Sequence, residues 1–230
     1  MRTLITGGGR GLGRALVEEC LDRGHAVATT VRDPAAVDLD PRVTVVALDV
    51  ADEASVGPAV DAAVTALGGL DLLVNSAGVN AKSLPGAEGT ITLDGLTAEP
   101  FLGIVRVNTV GPLLVTRAAR AALRESGRGR VVNISSWIGS IAGTEHGWNY
   151  GYAASKAALN MVTRILANEL RDDGIAAIAV NPGWMRTDMG GASAELTPRA
   201  SAAGIVTLAE GLTVEAGGRF VDWDGAERAW

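Results

Sequence analysis

Cysteine, histidine and aromatic side chains are all scarce in this chain, and each scarcity excludes something. A single cysteine, Cys20, cannot build an internal disulfide framework, and it suits a reducing, cytoplasmic setting. One cysteine and two histidines, His25 and His146, supply no metal-ligand cluster. Aromatics are only 4% of the residues, although the 5 tryptophans outnumber the 2 tyrosines and 2 phenylalanines together. Positive charge is in deficit: 20 Lys and Arg against 26 Asp and Glu leave a formal net charge of -6. Phosphate contacts need clustered Lys and Arg, so nucleic acid is not an expected partner. No apolar run is long enough to span a bilayer, so no membrane association is expected either. The opening Met-Arg-Thr-Leu-Ile-Thr-Gly enters a strand at once, and no secretory leader is expected.

What is there is a core. The 230 residues are 47% hydrophobic, enough for one large domain over 1–230 with no linker inside it. Strand and helix patterns alternate along the whole chain. Strands are expected over 2–6, 25–31, 43–48, 70–74, 130–134, 175–180 and 219–221. Helices are expected over 13–23, 53–67, from about 99 to 126, 152–171 and 197–210, with a loop from 79 to about 99. The strand runs are rich in Val, Leu and Ile without alternation, as in strands covered on both faces. Such repetition predicts an α/β fold: a Rossmann-type doubly wound parallel sheet of about seven strands. Ligands of such sheets bind beyond the carboxyl ends of the strands.

Two stretches carry chemistry. Thr6-Gly7-Gly8-Gly9-Arg10-Gly11-Leu12-Gly13 follows a strand and opens a helix. That context suits a dinucleotide pyrophosphate, which needs a tight turn, close backbone approach and free N–H groups at a helix N-terminus. At the other end, Tyr152 and Lys156 stand four residues apart and share one helical face. A free phenol titrates near pH ~10, too high for a base at neutrality. A positive charge about 4 Å away is worth roughly 4 kcal/mol at an effective dielectric near 20. The expectation is therefore a Tyr152 phenol brought down toward the range useful for general acid/base work. Tyr150 has Ala154 four residues on and lacks the ammonium, so it reads as pocket lining.

These motifs and several others resemble the short-chain dehydrogenase/reductase family over the whole chain. Thr6-Gly7-x-x-x-Gly11-x-Gly13 is similar to the family's cofactor motif. Asp49-Val50 resembles the pair whose carboxylate holds the adenine amino group. Asn75-Ser76-Ala77-Gly78 resembles the family's Asn-Asn-Ala-Gly turn, with Ser76 as the departure. Asn108 resembles the catalytic Asn, Tyr152 and Lys156 the Tyr-x-x-x-Lys pair. Pro182, Gly183 and Thr187 resemble the segment that contacts nicotinamide. Ser135 and Ser136 compete for the catalytic serine, on opposite faces of an alternating strand. Alignment with the family favours Ser136. The last third, from Asn181-Pro182-Gly183-Trp184 to Asp222-Trp223-Asp224-Gly225, resembles the C-factor-like and sniffer-like carbonyl reductases.

The resemblance implies hydride transfer between a nicotinamide and a carbonyl or alcohol. Tyr152 would be the general acid/base, Ser136 would bond the reacting oxygen, Lys156 would hold the nicotinamide ribose and Asn108 would position a relay water. An NAD enzyme usually ends its second strand in an acid. Here that place is Val31, followed by Arg32, with Arg10 in the glycine turn. A 2′-phosphate suits guanidinium groups, so NADP(H) is expected over NAD(H). Trp137, Trp148 and Trp184 all issue from the carboxyl edge, which predicts an apolar, aromatic-lined pocket for bulky carbonyl compounds. A homo-oligomer, dimer or tetramer, is implied by the family. Leu159, Val162, Ile165 and Leu166 fit a subunit contact and core packing equally. The rival function is a cofactor-binding signalling or regulatory protein of the same fold with little turnover. His25, His146 and Cys20 read as structural or solvated, and Asp38, Asp40, Asp52 and Glu53 as surface charge.

Overall fold

The computed structural model describes residues 1–145 and 147–230, so His146 lies outside the described residues. Seven strands form one parallel sheet: β1 (Arg2–Thr6), β2 (Ala26–Val31), β3 (Thr44–Ala47), β4 (Leu72–Asn75), β5 (Arg130–Ile134), β6 (Ala176–Asn181) and β7 (Phe220–Asp222). Their order is β3-β2-β1-β4-β5-β6-β7. Among the described residues, six α-helices cover it: α1 (Gly11–Asp22), α2 (Glu53–Leu67), α3 (Ala98–Val105), α4 (Gly111–Glu125), α5 (Tyr150–Glu169) and α6 (Pro198–Gly211).

The period of two along each strand divides the apolar residues between two cores. Ile5, Val74, Val132 and Ile178 pack with Leu16 of α1 and Ile205 of α6. Leu4, Leu73, Val131 and Ala177 pack on the other face with Val60 of α2, Val115 of α4 and Leu166 of α5. Each such buried Val, Leu or Ile side chain contributes about 1.5–3 kcal/mol from its removal from water. Both faces are covered, so the strands need no polar alternation.

The chain leaves β1 for β2 on one side and continues from β4 on the other. The direction of winding therefore reverses between β1 and β4, and their carboxyl ends open a crevice. Register puts Thr6 beside Thr30 on one side and Asn75 on the other, so the first turns after β1 and β4 meet.

Apart from the helix expected from about 99 to 126, element boundaries fall within two residues of the sequence reading, and two departures bear on the site. The helix expected from about 99 to 126 is broken into α3 and α4 by a π-helical stretch, Arg106–Val110. Pro112 supplies the reason. It has no N–H, so the Asn108 carbonyl loses its ordinary donor four residues on. The other difference is α5, which begins at Tyr150 rather than Tyr152.

Of the α5 residues read as core or subunit contact, Leu159 and Leu166 are core, whereas Ile165 is exposed with Met161. Cys20 is buried, and burial pushes its thiol up to about 12, which leaves it inert. His25 is buried too, bonded to Thr3 Oγ1 and Glu210 Oε1 at 3.0 Å each. Asp40 and Glu53 form surface pairs with Arg42 and Arg117, and Asp52 caps α2. Among the described residues, no helix is long and apolar enough to cross a membrane.

Candidate active site

The glycine turn is built by contacts that admit no side chain. A Cβ on Gly13 would stand 2.1 Å from the Gly7 carbonyl oxygen, and one on Gly8 would stand 2.0 Å from Thr29 Oγ1. Gly7 has φ +77° and lies against Ala77, which a Cβ would approach to 2.9 Å from its Cα. Thr6 Oγ1 accepts from the N–H groups of Ser76 and Ala77, 3.1 Å each, and so joins the turns after β1 and β4. The Ser76 departure leaves that junction intact. Helix α1 then starts at Gly11 with neither a side-chain cap nor an acid in its first turn. Its leading N–H groups remain available for an anion, with Leu12 packed behind them. The cradle fits a dinucleotide pyrophosphate on these grounds.

Around the crevice, Arg32 follows β2 and is exposed, as is Arg10. Arg10 Nη1 lies 3.8 Å from Asp188 Oδ2, a loose surface pair. Asp33 turns its carboxylate onto the Ala35 N–H at 3.0 Å, away from a pairing with Arg32. Asp49 accepts from the Ala51 N–H at 2.9 Å while staying exposed, and Val50 is buried under Gly111.

Asn75 ends β4 at the edge of the crevice. Its side chain turns inward, where Nδ2 donates to Asn133 Oδ1 at 2.8 Å and to Thr116 Oγ1 at 3.2 Å. Side chains at the last position of β4 alternate between helix layers, and this one falls on the side of α4. Ala77 and Gly78 do reach the crevice. A Cβ on Gly78 would come to 3.3 Å from Asn108 Oδ1 and 3.8 Å from Lys156 Nζ.

Four polar side chains converge beyond β4 and β5. Asn108 is buried, held by Val79 through both ends of its amide: Oδ1 accepts from the N–H and Nδ2 donates to the carbonyl, each at 2.8 Å. Its amide is fully engaged, since Nδ2 also donates to Ser155 Oγ at 3.0 Å. Lys156 is buried, donates to the Ile134 carbonyl at 2.7 Å and lies 5.6 Å from the centre of the Tyr152 ring. Ser136 caps the short 3-10 helix Trp137–Gly139, its Oγ accepting from Ile138 N–H at 3.3 Å. Ser135 points elsewhere and donates to Asn160 Oδ1 at 2.5 Å. The structure thus separates the two serines that the sequence left in competition.

The electrostatics invert one expectation. Tyr152 is not brought down: burial pushes its phenol up to about 12, and the Ser136 hydroxyl only partly offsets this. Burial brings Lys156 down to about 8. Desolvation penalises the charged form of both groups, and the ammonium bonds a carbonyl rather than the phenol. Tyr152 is therefore a neutral phenol at neutral pH.

The floor beyond β6 completes the site. Asn181 Oδ1 accepts from Trp137 N–H at 2.9 Å, and its Nδ2 donates to Asp222 Oδ1 at 2.6 Å. Arg228 grips the same Asp222 through both oxygens, at 2.7 and 2.8 Å. Pro182 is tied to α6 by Ser201 Oγ at 2.7 Å, and Gly183 makes its turn under Trp223 at φ +79°. Thr187 sits near Gly11, whose would-be Cβ lies 3.6 Å from its Cγ2. Trp137, Trp148 and Trp184 are all substantially exposed, as is Tyr150, so these indoles are not core. Sequence reading missed Asn181 as a bracket and Asp222 with Arg228 as its anchor. No motif spacing links residues so far apart in the chain.

Comparison with known proteins gives the family. The family model for short chain dehydrogenase matches residues 2–196. The C-signal of Myxococcus xanthus is 39% identical over 163 residues, 71% of this chain and 94% of that protein. The carbonyl reductase Sniffer of D. melanogaster superposes with a TM-score of 0.91 at 30% identity, covering 99% of this chain and 98% of that one. An NADPH-bound carbonyl reductase from chicken fatty liver gives 0.87 at 31% identity, again covering 99% and 98%.

Proposed function

We propose, from the premise that the chain belongs to the short-chain dehydrogenase/reductase family of oxidoreductases, that it interconverts a carbonyl and an alcohol with NADP(H). The observation that carries this reading is the meeting of Tyr152, Lys156, Ser136 and Asn108 at the crevice beside the glycine turn. The nicotinamide, when bound, supplies or accepts the hydride at the substrate carbon.

Everything else falls to side chains of this chain. In reduction, Tyr152 Oη gives its proton to the carbonyl oxygen as negative charge develops there. Its raised pKa keeps the proton in place until that oxygen becomes basic. Ser136 Oγ donates a hydrogen bond to the same oxygen and stabilises the developing charge. Lys156, near 8, can return a proton to the phenolate, and its place beside Gly78 suits holding a ribose hydroxyl. The Asn108 main-chain carbonyl, to which Pro112 can donate no α-helical bond, suits a relay water. In oxidation the same groups act in reverse. Gly7, Arg10, Gly11, Leu12 and Gly13 would cradle the pyrophosphate, Asp49 and Val50 the adenine, and Ala77, Gly78, Pro182, Gly183 and Thr187 the nicotinamide half.

NADP(H) over NAD(H) is favoured by two exposed arginines, Arg10 and Arg32, and by the absence of an acid at Val31. Bulky apolar or aromatic carbonyl compounds are favoured by the exposed Trp137, Trp148 and Trp184. The exposed Met161 and Ile165 on α5 favour a homo-oligomer, and the lone buried thiol favours a cytoplasmic setting. NADPH oxidation with a panel of ketones, aldehydes and quinones, with Tyr152→Phe as control, tests the reading. Turnover on some member, lost in the control, supports it; tight NADPH binding with no turnover overturns it. The second reading, a signalling or regulatory protein with little turnover, draws on the likeness to C-signal and would then stand.

A further inference from the structure

We propose that Asn160 is a positioning residue, which holds the Ser136 loop in register with the Tyr152–Lys156 helix. Through that register it aligns the serine hydroxyl and the phenol on one substrate oxygen. The inference rests on the reading of Ser136 and Tyr152 given above.

Asn160 lies one turn beyond Lys156 on α5 and is 3% exposed. Its amide bonds the chain on both sides of Ser136. Oδ1 accepts from Ser135 Oγ at 2.5 Å, and Nδ2 donates to the Gly139 carbonyl at 3.2 Å. The loop backbone also rests on the helix backbone: a Cβ on Gly139 would stand 2.7 Å from the Lys156 carbonyl carbon. So the segment 135–139 is tied to the same helix that carries the phenol, within about two turns of it. Ser136 itself contributes little to this bracing: its Oγ accepts a long 3.3 Å contact from Ile138 N–H and otherwise bonds the Tyr152 phenol. Its hydroxyl thus lies beside the phenol while its neighbours fix where it points.

A buried amide suits this task better than an apolar side chain of equal size. Hydrogen bonds fix direction, and in a low dielectric they hold it stiffly. Misplacing a reacting group by 1 Å costs on the order of a hundredfold in rate. Thr163, the next buried polar side chain along α5, makes a useful contrast. It accepts from Asn133 Nδ2 at 2.9 Å and does not touch the serine loop.

The test measures kcat, KM for NADPH and thermal stability of Asn160→Leu, Ser135→Ala and Thr163→Val, with menadione and the carbonyl panel as substrates. Asn160→Leu should lower kcat about tenfold or more while KM for NADPH stays within about twofold. Ser135→Ala, the milder variant should the first not fold, should lower kcat about threefold with the same split. Thr163→Val should lower thermal stability and leave kcat near the parent value. Parental kcat in both clamp variants overturns the proposal, as does a kcat loss in Thr163→Val equal to theirs. Tyr152→Phe and Ser136→Ala run alongside. If they retain turnover, or if the parent turns over nothing, the reading of the site fails and this inference with it. If they lose it while the clamp variants do not, the positioning role alone fails.

Discussion

Gly13 and Gly7 stand so close that a Cβ on the first would lie 2.1 Å from the carbonyl oxygen of the second. The obstacle is backbone, which cannot swing aside as a side-chain tip can. Gly13→Ala must therefore move the start of α1 away from the end of β1. It should cost about 1–3 kcal/mol of stability by chemical denaturation. It should also weaken NADPH binding, measured by fluorescence titration. Parental NADPH affinity in this variant would show that the anion cradle lies elsewhere.

Lys156 offers a pH test. Its ammonium is buried against one carbonyl, and its pKa falls from 10.5 to about 8. The unfolded chain then binds more protons than the folded one between those values, so this group makes stability rise with pH across that window. Below about 8 the folded protein carries the full cost of the buried charge. Lys156→Met should lose turnover yet gain stability at neutral pH, on the order of 2–3 kcal/mol. The gain should shrink as pH climbs from 8 toward 10.5. A gain that does not vary with pH, or a loss at neutrality, contradicts the assigned shift.

Arg32 bears on cofactor choice. A guanidinium bonded to a phosphate contributes about 1.5–3 kcal/mol, whereas an uncharged hydroxyl gains far less from it. Arg32→Ala should raise KM for NADPH about tenfold or more and leave KM for NADH nearly unchanged. A parent enzyme that prefers NADH in kcat/KM would remove the 2′-phosphate from this account altogether.

Trp184 and Trp148 test the pocket. Trp184 is held by a hydrogen bond from Nε1 to the Gly190 carbonyl at 2.8 Å, yet its ring is exposed. A ring fixed at one end and bare on its face is suited to stacking on a ligand. Trp184→Ala and Trp148→Ala should each raise KM for an aromatic ketone by about fivefold or more, in line with the ~1 kcal/mol of an aromatic pair. A small aliphatic ketone should respond little. Equal effects on the two would point to packing rather than recognition.

Much of the architecture was readable in the sequence because it is set by near neighbours. The glycine turn, the apolar strands and the four-residue step from Tyr152 to Lys156 are all short-range patterns. One feature was readable and overlooked: Pro112, four residues after Asn108, already implied that the helix could not run unbroken there. The strand expected over 70–74 ends at Asn75, and that small shift decides which layer the Asn75 side chain enters. The choice between Ser135 and Ser136 needed the same information.

Hydrophobic period and turn spacing by themselves determined the parallel sheet, its single domain and the glycine turn after the first strand, and the motifs carried the resemblance to the family. These follow from hydrophobic period and turn chemistry, which act over a few residues. Tertiary structure alone decided the rest. Desolvation set Tyr152 high and Lys156 low, and burial is a property of the packed molecule rather than of the pair. Likewise Asn160 meets Ser135, and Asn181 meets Asp222 and Trp137, only because parallel strands bring distant carboxyl ends to one edge. No local rule encodes such pairings, since they depend on which side chain each strand's last residue turns toward the crevice.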